Sequence, residues 1–137
     1  MTNQKINSTE YIEFVRKITS EPSSNVDALV DRIRELDDQG VKLTYLLTFA
    51  LGASAELGEA VEIIKKCLFQ GKKFDEDAKR HLLLECSDAL FYVADLCIAM
   101  DVNFEDIMQM NYEKLSARYP EGHFTVERSE NRREGDI

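Results

Sequence analysis

The sequence has no tryptophan, only two prolines and six glycines among its 137 residues, and no long uninterrupted apolar run. Two prolines are too few for a collagen-like or proline-rich chain, and 44% apolar residues with 31% charged residues exclude a disordered one. The length suits one domain and is short for two. We therefore expect a globular protein with a core of its own.

Cysteine is also scarce, and its pattern excludes a disulfide framework. Cys67, Cys86 and Cys97 are odd in number and form no Cys-x-x-Cys pair, so we expect reduced packing residues in a reducing compartment. The first 25 residues lack the apolar block of a signal peptide, and charges interrupt every apolar run before it could span a bilayer. These absences predict a cytoplasmic protein with no membrane partner.

Basic residues are fewer than acidic ones. Lysine and arginine number 17 against 26 acids, which gives a net charge of −9. Loose electrostatic binding to nucleic acid or to a membrane surface needs a positive face, so neither is expected as a partner. One phosphorylated ligand held through metal ions stays compatible with this charge.

What the sequence does have is helical periodicity nearly everywhere, and it has no sustained alternation of apolar and polar residues. This predicts an all-α bundle of about five helices. Asn25 and Asn103 are expected N-caps, and Gly40 is an expected helix stop. The first predicted helix covers about 11–18 and ends near 20–23. The other four cover about 26–40, 43–69, 75–100 and 103–119.

The same pattern divides one domain into three parts. Residues 1–40 are expected to form a helical extension packed on the core, and 41–122 the helical core itself. Residues 123–137 form a C-terminal tail, where Arg128, Arg132 and Arg133 alternate with acids. Because apolar content collapses there, we expect this tail to be extended or loosely ordered.

Two apolar segments carry carboxylates as their only charges. The pairs Glu56 with Glu59, and Glu85 with Asp88, each have i, i+3 spacing, which places both members on one helix face. Such like-charged pairs repel, and the cost grows if they are buried without compensation. Local compensation is scarce, because seven acids and no lysine or arginine lie between Arg80 and Lys114.

A divalent cation would compensate these acids economically. Carboxylate oxygens with no histidine in either motif suit Mg²⁺ or Mn²⁺ better than zinc. Three alternatives stay open: a solvated acidic stripe, ion pairs with distant cations, and a non-enzymatic helical interaction module that meets a basic partner. A ferritin-like di-metal carboxylate oxidase is disfavoured, because it normally uses Glu-x-x-His pairs.

These residues resemble a family. Glu56-x-x-Glu59 is followed after 25 residues by Glu85-x-x-Asp88, and later by Lys114-Leu-Ser-Ala-Arg118-Tyr119-Pro120-Glu-Gly122. This ordered set resembles the all-α nucleoside triphosphate pyrophosphohydrolases of the MazG-like group over roughly residues 43–133. One position departs from the pattern: many relatives carry a further glutamate where this chain has Ala55, so its role would pass to Glu62 or to water.

The resemblance implies Mg²⁺-dependent hydrolysis of a (deoxy)nucleoside triphosphate between the α- and β-phosphates, giving a monophosphate and pyrophosphate. The expected metal ligands are Glu56, Glu59, Glu85 and Asp88, and either Glu56 or Glu59 orients or deprotonates the attacking water. The resemblance also implies a homodimer or homotetramer. The geometry agrees, because helices with one acidic face and much apolar surface need further partners.

Substrate contacts are predicted more weakly than the metal ligands. The resemblance places Tyr92 against the sugar, whereas plain core packing would explain it equally well. The candidate substrate-binding residues are Lys66, Lys72, Tyr92, Asn111, Lys114 and Arg118, and for the cations the alternative is ordinary surface charge or helix-dipole compensation. With no tryptophan in the chain, the candidates to stack on a base are Tyr45, Phe49, Phe69 and Tyr92.

Overall fold

A computed structural model describes residues 5–130, and every regular element in that range is an α-helix. The predicted all-α class is therefore confirmed. The helices are α1 (Ser8–Ile18), α2 (Glu21–Ser24), α3 (Val26–Asp38), α4 (Leu43–Phe69), α5 (Glu76–Met100), α6 (Phe104–Arg118) and α7 (Val126–Glu130). Across the described residues, no helix is both long enough and apolar enough to cross a membrane.

The chain divides into two compact units, residues 1–43 and 44–137. The first contains α1, α2 and α3, and the second contains nearly all of α4 together with α5, α6 and α7. The division falls close to the sequence-based boundary between 1–40 and 41–122. That the N-terminal part packs on the core stays a prediction.

Local capping explains where the main helices begin. The Asn25 side chain accepts hydrogen bonds from the Asp27 and Ala28 N–H groups, as predicted for the start of α3. Asn103 and Asp106 form a reciprocal capping box with both bonds at 2.9 Å. Such caps satisfy backbone donors that the first helical turn leaves unpaired.

The number of helices differs from the prediction, because two short ones were missed. The first is α2, which lies where a break was expected and tolerates proline because its first turn needs no proline N–H. The other, α7, lies inside the predicted tail. Its Arg128 N–H donates to the Thr125 hydroxyl, and the Arg128 guanidinium pairs with Glu121 at 3.2 Å.

The expectation of a loosely ordered tail is therefore wrong for residues 126–130. A contact across seven positions, between Arg128 and Glu121, adds to a helix too short to be stable by itself. Arg132 and Arg133, which belong to the same prediction, lie outside the described residues.

In the second unit, α4 and α5 lie side by side and run antiparallel. Gly52 in the first half of α4 faces Tyr92 in the second half of α5, and Glu56 meets Glu85 and Asp88 one turn further along. At the end of α4, the Gln70 and Lys72 N–H groups both donate to the Lys66 carbonyl. Gly71 makes this reversal possible with φ 68°, a region that only glycine enters at little cost.

Candidate functional site

The two acidic motifs meet across the α4–α5 pair. Glu56 from α4 and Glu85 and Asp88 from α5 each contribute a carboxylate oxygen, and these oxygens lie within 4.8 Å of one another. Glu56 and Glu85 are half-buried, and Asp88 is exposed. We call these three residues the acidic cluster. The structure thus brings together three of the four acids predicted to bind metal.

Glu59, the fourth predicted ligand, lies outside the acidic cluster but close enough to act on it electrostatically. Partial burial is the main cause that raises the pKa of Glu56, and the charge of Glu59 comes next, followed by those of Asp88 and Glu85. A hydrogen bond with Glu85 raises the Glu56 pKa further. The cluster therefore carries the unfavourable concentration of negative charge that a cation would relieve.

The acidic cluster could hold a cation, because its three carboxylate oxygens lie within 4.8 Å of one another. All three donors are carboxylates, as Mg²⁺ and Mn²⁺ prefer, and the cluster contains no histidine.

A cleft of about 660 Å³ opens beside the acidic cluster, between the last turns of α4 and the first turns of α5. Glu85 belongs to both the cluster and the cleft wall, and Glu59 lines the cleft as well. Its cations are Lys66, Lys72 and Lys73. The remaining lining residues are Glu62, Ile63, Cys67, Asp75, Asp77, Ala78 and His81.

Two of the predicted substrate residues, Lys66 and Lys72, therefore line a cavity that adjoins the acidic cluster. Sequence reasoning missed Lys73 and His81 as members of this wall. The signal for Lys73 was its place beside Lys72 in the loop that reverses the chain. His81 carried no signal, because its position depends on how far α5 overlaps α4.

Glu62 is occupied by ion pairs. Its carboxylate contacts the Lys65 ammonium, and it lies 3.4 Å from the Lys66 ammonium. The hydrogen bond with Lys65 is the main cause that lowers the pKa of Glu62. The choice between Glu62 and water for the role that the resemblance associates with position 55 stays a prediction.

The other predicted substrate residues do not line the cleft. One edge of the Tyr92 ring packs against the α4 backbone at Gly52, and its centroid lies 5.2 Å from that of Phe91 in an edge-to-face arrangement. Asn111, Lys114 and Arg118 follow one face of α6, and none of these four residues lines the cleft. Their substrate contacts stay predictions.

The raised pKa of Glu56 has a measurable consequence in metal-free protein. Because the folded state holds the Glu56 proton more tightly, the stability this group contributes is lost as pH rises above its ordinary pKa of 4.5. Glu56→Gln resembles the protonated form at every pH. We therefore expect the Tm of the variant, minus that of the wild type, to grow from pH 4.5 to 7 in a chelating buffer. A difference that shrinks over this range contradicts the electrostatic description.

Comparison with known proteins gives no match. No protein-family model matches the sequence, and neither a curated protein nor a solved structure does. Function therefore has to be argued from the site itself, from the acidic cluster and the cleft that adjoins it.

Proposed function

We propose that this chain is a Mg²⁺-dependent nucleoside triphosphate pyrophosphohydrolase of MazG-like architecture. The observation that carries the proposal is the convergence of Glu56, Glu85 and Asp88 from two helices onto one point beside a cleft that contains lysines. Separate acids on exposed helix faces are ordinary. Three that meet across a helix pair, two of them half-buried, repel one another, and a shared cation would relieve that repulsion.

The residues of the site would have different roles in this reaction. Bound Mg²⁺, which Mn²⁺ could replace, would supply charge neutralisation for the triphosphate and acidify a water molecule. Glu56, Glu85 and Asp88 would hold the metal. Glu59 is outside the cluster and lines the cleft, which favours it over Glu56 as the group that orients the attacking water.

The cleft has the size for the phosphate chain, and because five acids line it beside three lysines, bound cations would have to accompany the phosphates. Its volume of about 660 Å³ lies in the range of small-molecule sites. Lys66, Lys72 and Lys73 can neutralise phosphate oxygens, and Glu85 keeps the acidic cluster next to them. No side-chain nucleophile is needed: the Ser54 and Ser87 hydroxyls donate to the Ala50 and Leu84 carbonyls of their own helices.

A homo-oligomer is part of the same proposal, and an apolar face of the second unit supports it. A groove of about 610 Å³ runs along the α4–α5 pair, lined among others by Ala53, Leu57 and Leu90. Exposed Val61 and Leu68 continue this face on α4. Such a continuous apolar face marks an interaction site in a water-exposed protein. A second copy presenting the same face would cover it in a two-fold arrangement.

The proposal is tested by incubating the protein with Mg²⁺ and a panel of eight nucleoside and deoxynucleoside triphosphates. The expected products are a monophosphate and pyrophosphate in equal amounts, because cleavage falls between the α- and β-phosphates. Release of inorganic phosphate with a diphosphate would contradict this bond assignment. Titration with Mg²⁺ and a non-hydrolysable triphosphate distinguishes the hydrolase from a non-enzymatic interaction module, since an interaction module should bind neither.

A further inference from the structure

Gly52 of α4 lies directly against the Tyr92 side chain of α5. A Cβ atom built on Gly52 would overlap the Cδ1, Cε1 and Cζ atoms of Tyr92, each less than 3.0 Å away. Gly58, six residues later in the same helix, has nothing within 4 Å of the same constructed atom. The two glycines share a helix but differ completely in what a methyl group would meet.

The contact between Gly52 and Tyr92 lies one helical turn from the acidic cluster. Glu56 follows Gly52 by four residues, and Asp88 precedes Tyr92 by four in the antiparallel partner, so the cluster lies about 6 Å along the pair. Helices are stiff over a single turn. A change in the spacing of α4 and α5 at Gly52 therefore reaches the carboxylates, whose oxygens must stay within the few ångströms that one ion spans.

We propose that Gly52 and Tyr92 are positioning residues that set the α4–α5 spacing at which Glu56, Glu85 and Asp88 share one cation. The inference rests on the proposed function for the identity of the ligand. Glycine is required because the Tyr92 ring occupies the volume of a side chain. The ring in turn fixes the distance, because it is rigid and is backed by Phe91 in edge-to-face contact.

The test compares Gly52→Ala with Gly58→Ala in the full chain, by Mg²⁺ titration calorimetry and by metal-free Tm. Alanine favours a helix over glycine, so Gly58→Ala should raise the Tm and leave the Mg²⁺ Kd unchanged. Gly52→Ala should lower the Tm despite the same gain in helix propensity, because the added methyl group overlaps the Tyr92 ring. It should also weaken Mg²⁺ binding by at least about tenfold, as lost support of a metal site does.

Two further variants separate spacing from general damage. Tyr92→Phe keeps the ring and should bind Mg²⁺ like the wild type, whereas Tyr92→Ala removes the ring that fixes the distance and should weaken Mg²⁺ binding although no carboxylate is changed. Equal Mg²⁺ affinity in the Gly52 and Gly58 single variants would overturn the inference. So would a Tyr92→Ala variant that binds Mg²⁺ as tightly as Tyr92→Phe.

These outcomes stay distinct from a failure of the proposed function. If the wild type binds Mg²⁺ and releases pyrophosphate while Gly52→Ala does so equally well, only the positioning role is wrong. If the wild type binds no Mg²⁺, the proposed function fails and cation positioning fails with it. The metal-free Tm values of the two glycine variants then still show whether the Gly52–Tyr92 contact excludes a methyl group.

Discussion

Replacing Glu85 with glutamine should lower the rate of pyrophosphate release by at least about a hundredfold, the cost of losing a positioned charge-stabilising group. The amide keeps the shape of the side chain and removes its charge. Glu85 belongs to both the acidic cluster and the cleft wall, so metal and substrate are affected together. The measurement is the turnover rate at saturating Mg²⁺ with the best triphosphate of the panel.

Glu76→Gln is the matched control for this variant. Glu76 lies on the same helix but outside the acidic cluster, with its side chain 89% exposed and paired with Lys79 at 2.6 Å. An exposed pair of this kind contributes little, so turnover and Tm should stay close to the wild-type values. A loss of turnover in this control equal to that in Glu85→Gln would show that the effect does not depend on the cluster.

Stability should move in the opposite direction from activity. Without metal, Glu85→Gln removes a charge that repels Glu56, so the Tm should be unchanged or higher. Mg²⁺ should no longer raise the Tm, since that gain depends on preferential binding to the folded state. If the variant instead unfolds more easily and still releases pyrophosphate, the acids are structural and the hydrolase proposal is wrong.

Leu57→Lys should convert the oligomer into a monomer of 15.7 kDa. Leu57 lines the apolar groove and is 54% exposed in the single chain. If a second copy covers this groove, the substituted ammonium group would be buried without a partner at a cost of several kcal/mol. The measurement is the mass by light scattering at micromolar concentration, where the wild type should give at least twice the single-chain value.

The matched control is Leu51→Lys on the same helix. Leu51 is 72% exposed and does not line the groove, so a lysine there should leave the oligomer intact. A wild type that already scatters as a monomer would refute the oligomer proposal directly. Equal dissociation by both lysine variants would show that the interface is not the groove.

The positions of the long helices could be predicted because their signals are local. Asn25 and Asn103 accept hydrogen bonds from N–H groups two or three residues away, so the cap and its partner lie in the same short stretch of sequence. The short helix α7 could not be predicted in this way. Its support includes an ion pair between Arg128 and Glu121, which only the folded backbone brings together.

For the acidic residues, too, one part could be predicted from local sequence and another could not. Their i, i+3 spacing identified two faces, but that spacing is identical for Glu56 with Glu59 and for Glu85 with Asp88. The structure joins Glu56 to the acidic cluster and leaves Glu59 beside the cleft. Nothing within either motif distinguishes these two glutamates, because the difference comes from the register between helices.

By itself the sequence determined the all-α class, the bounds of the long helices and the presence of two carboxylate faces. Helical hydrogen bonds join residues four apart, and the apolar repeat of a helix spans a few turns. Both signals lie within short stretches of sequence, so the helices could be predicted from them. Only the tertiary structure decided which acids converge, that Lys73 and His81 border a cleft, and that Gly52 must lack a side chain. These features depend on the spacing and register of α4 and α5, which are set by contacts between residues far apart in sequence.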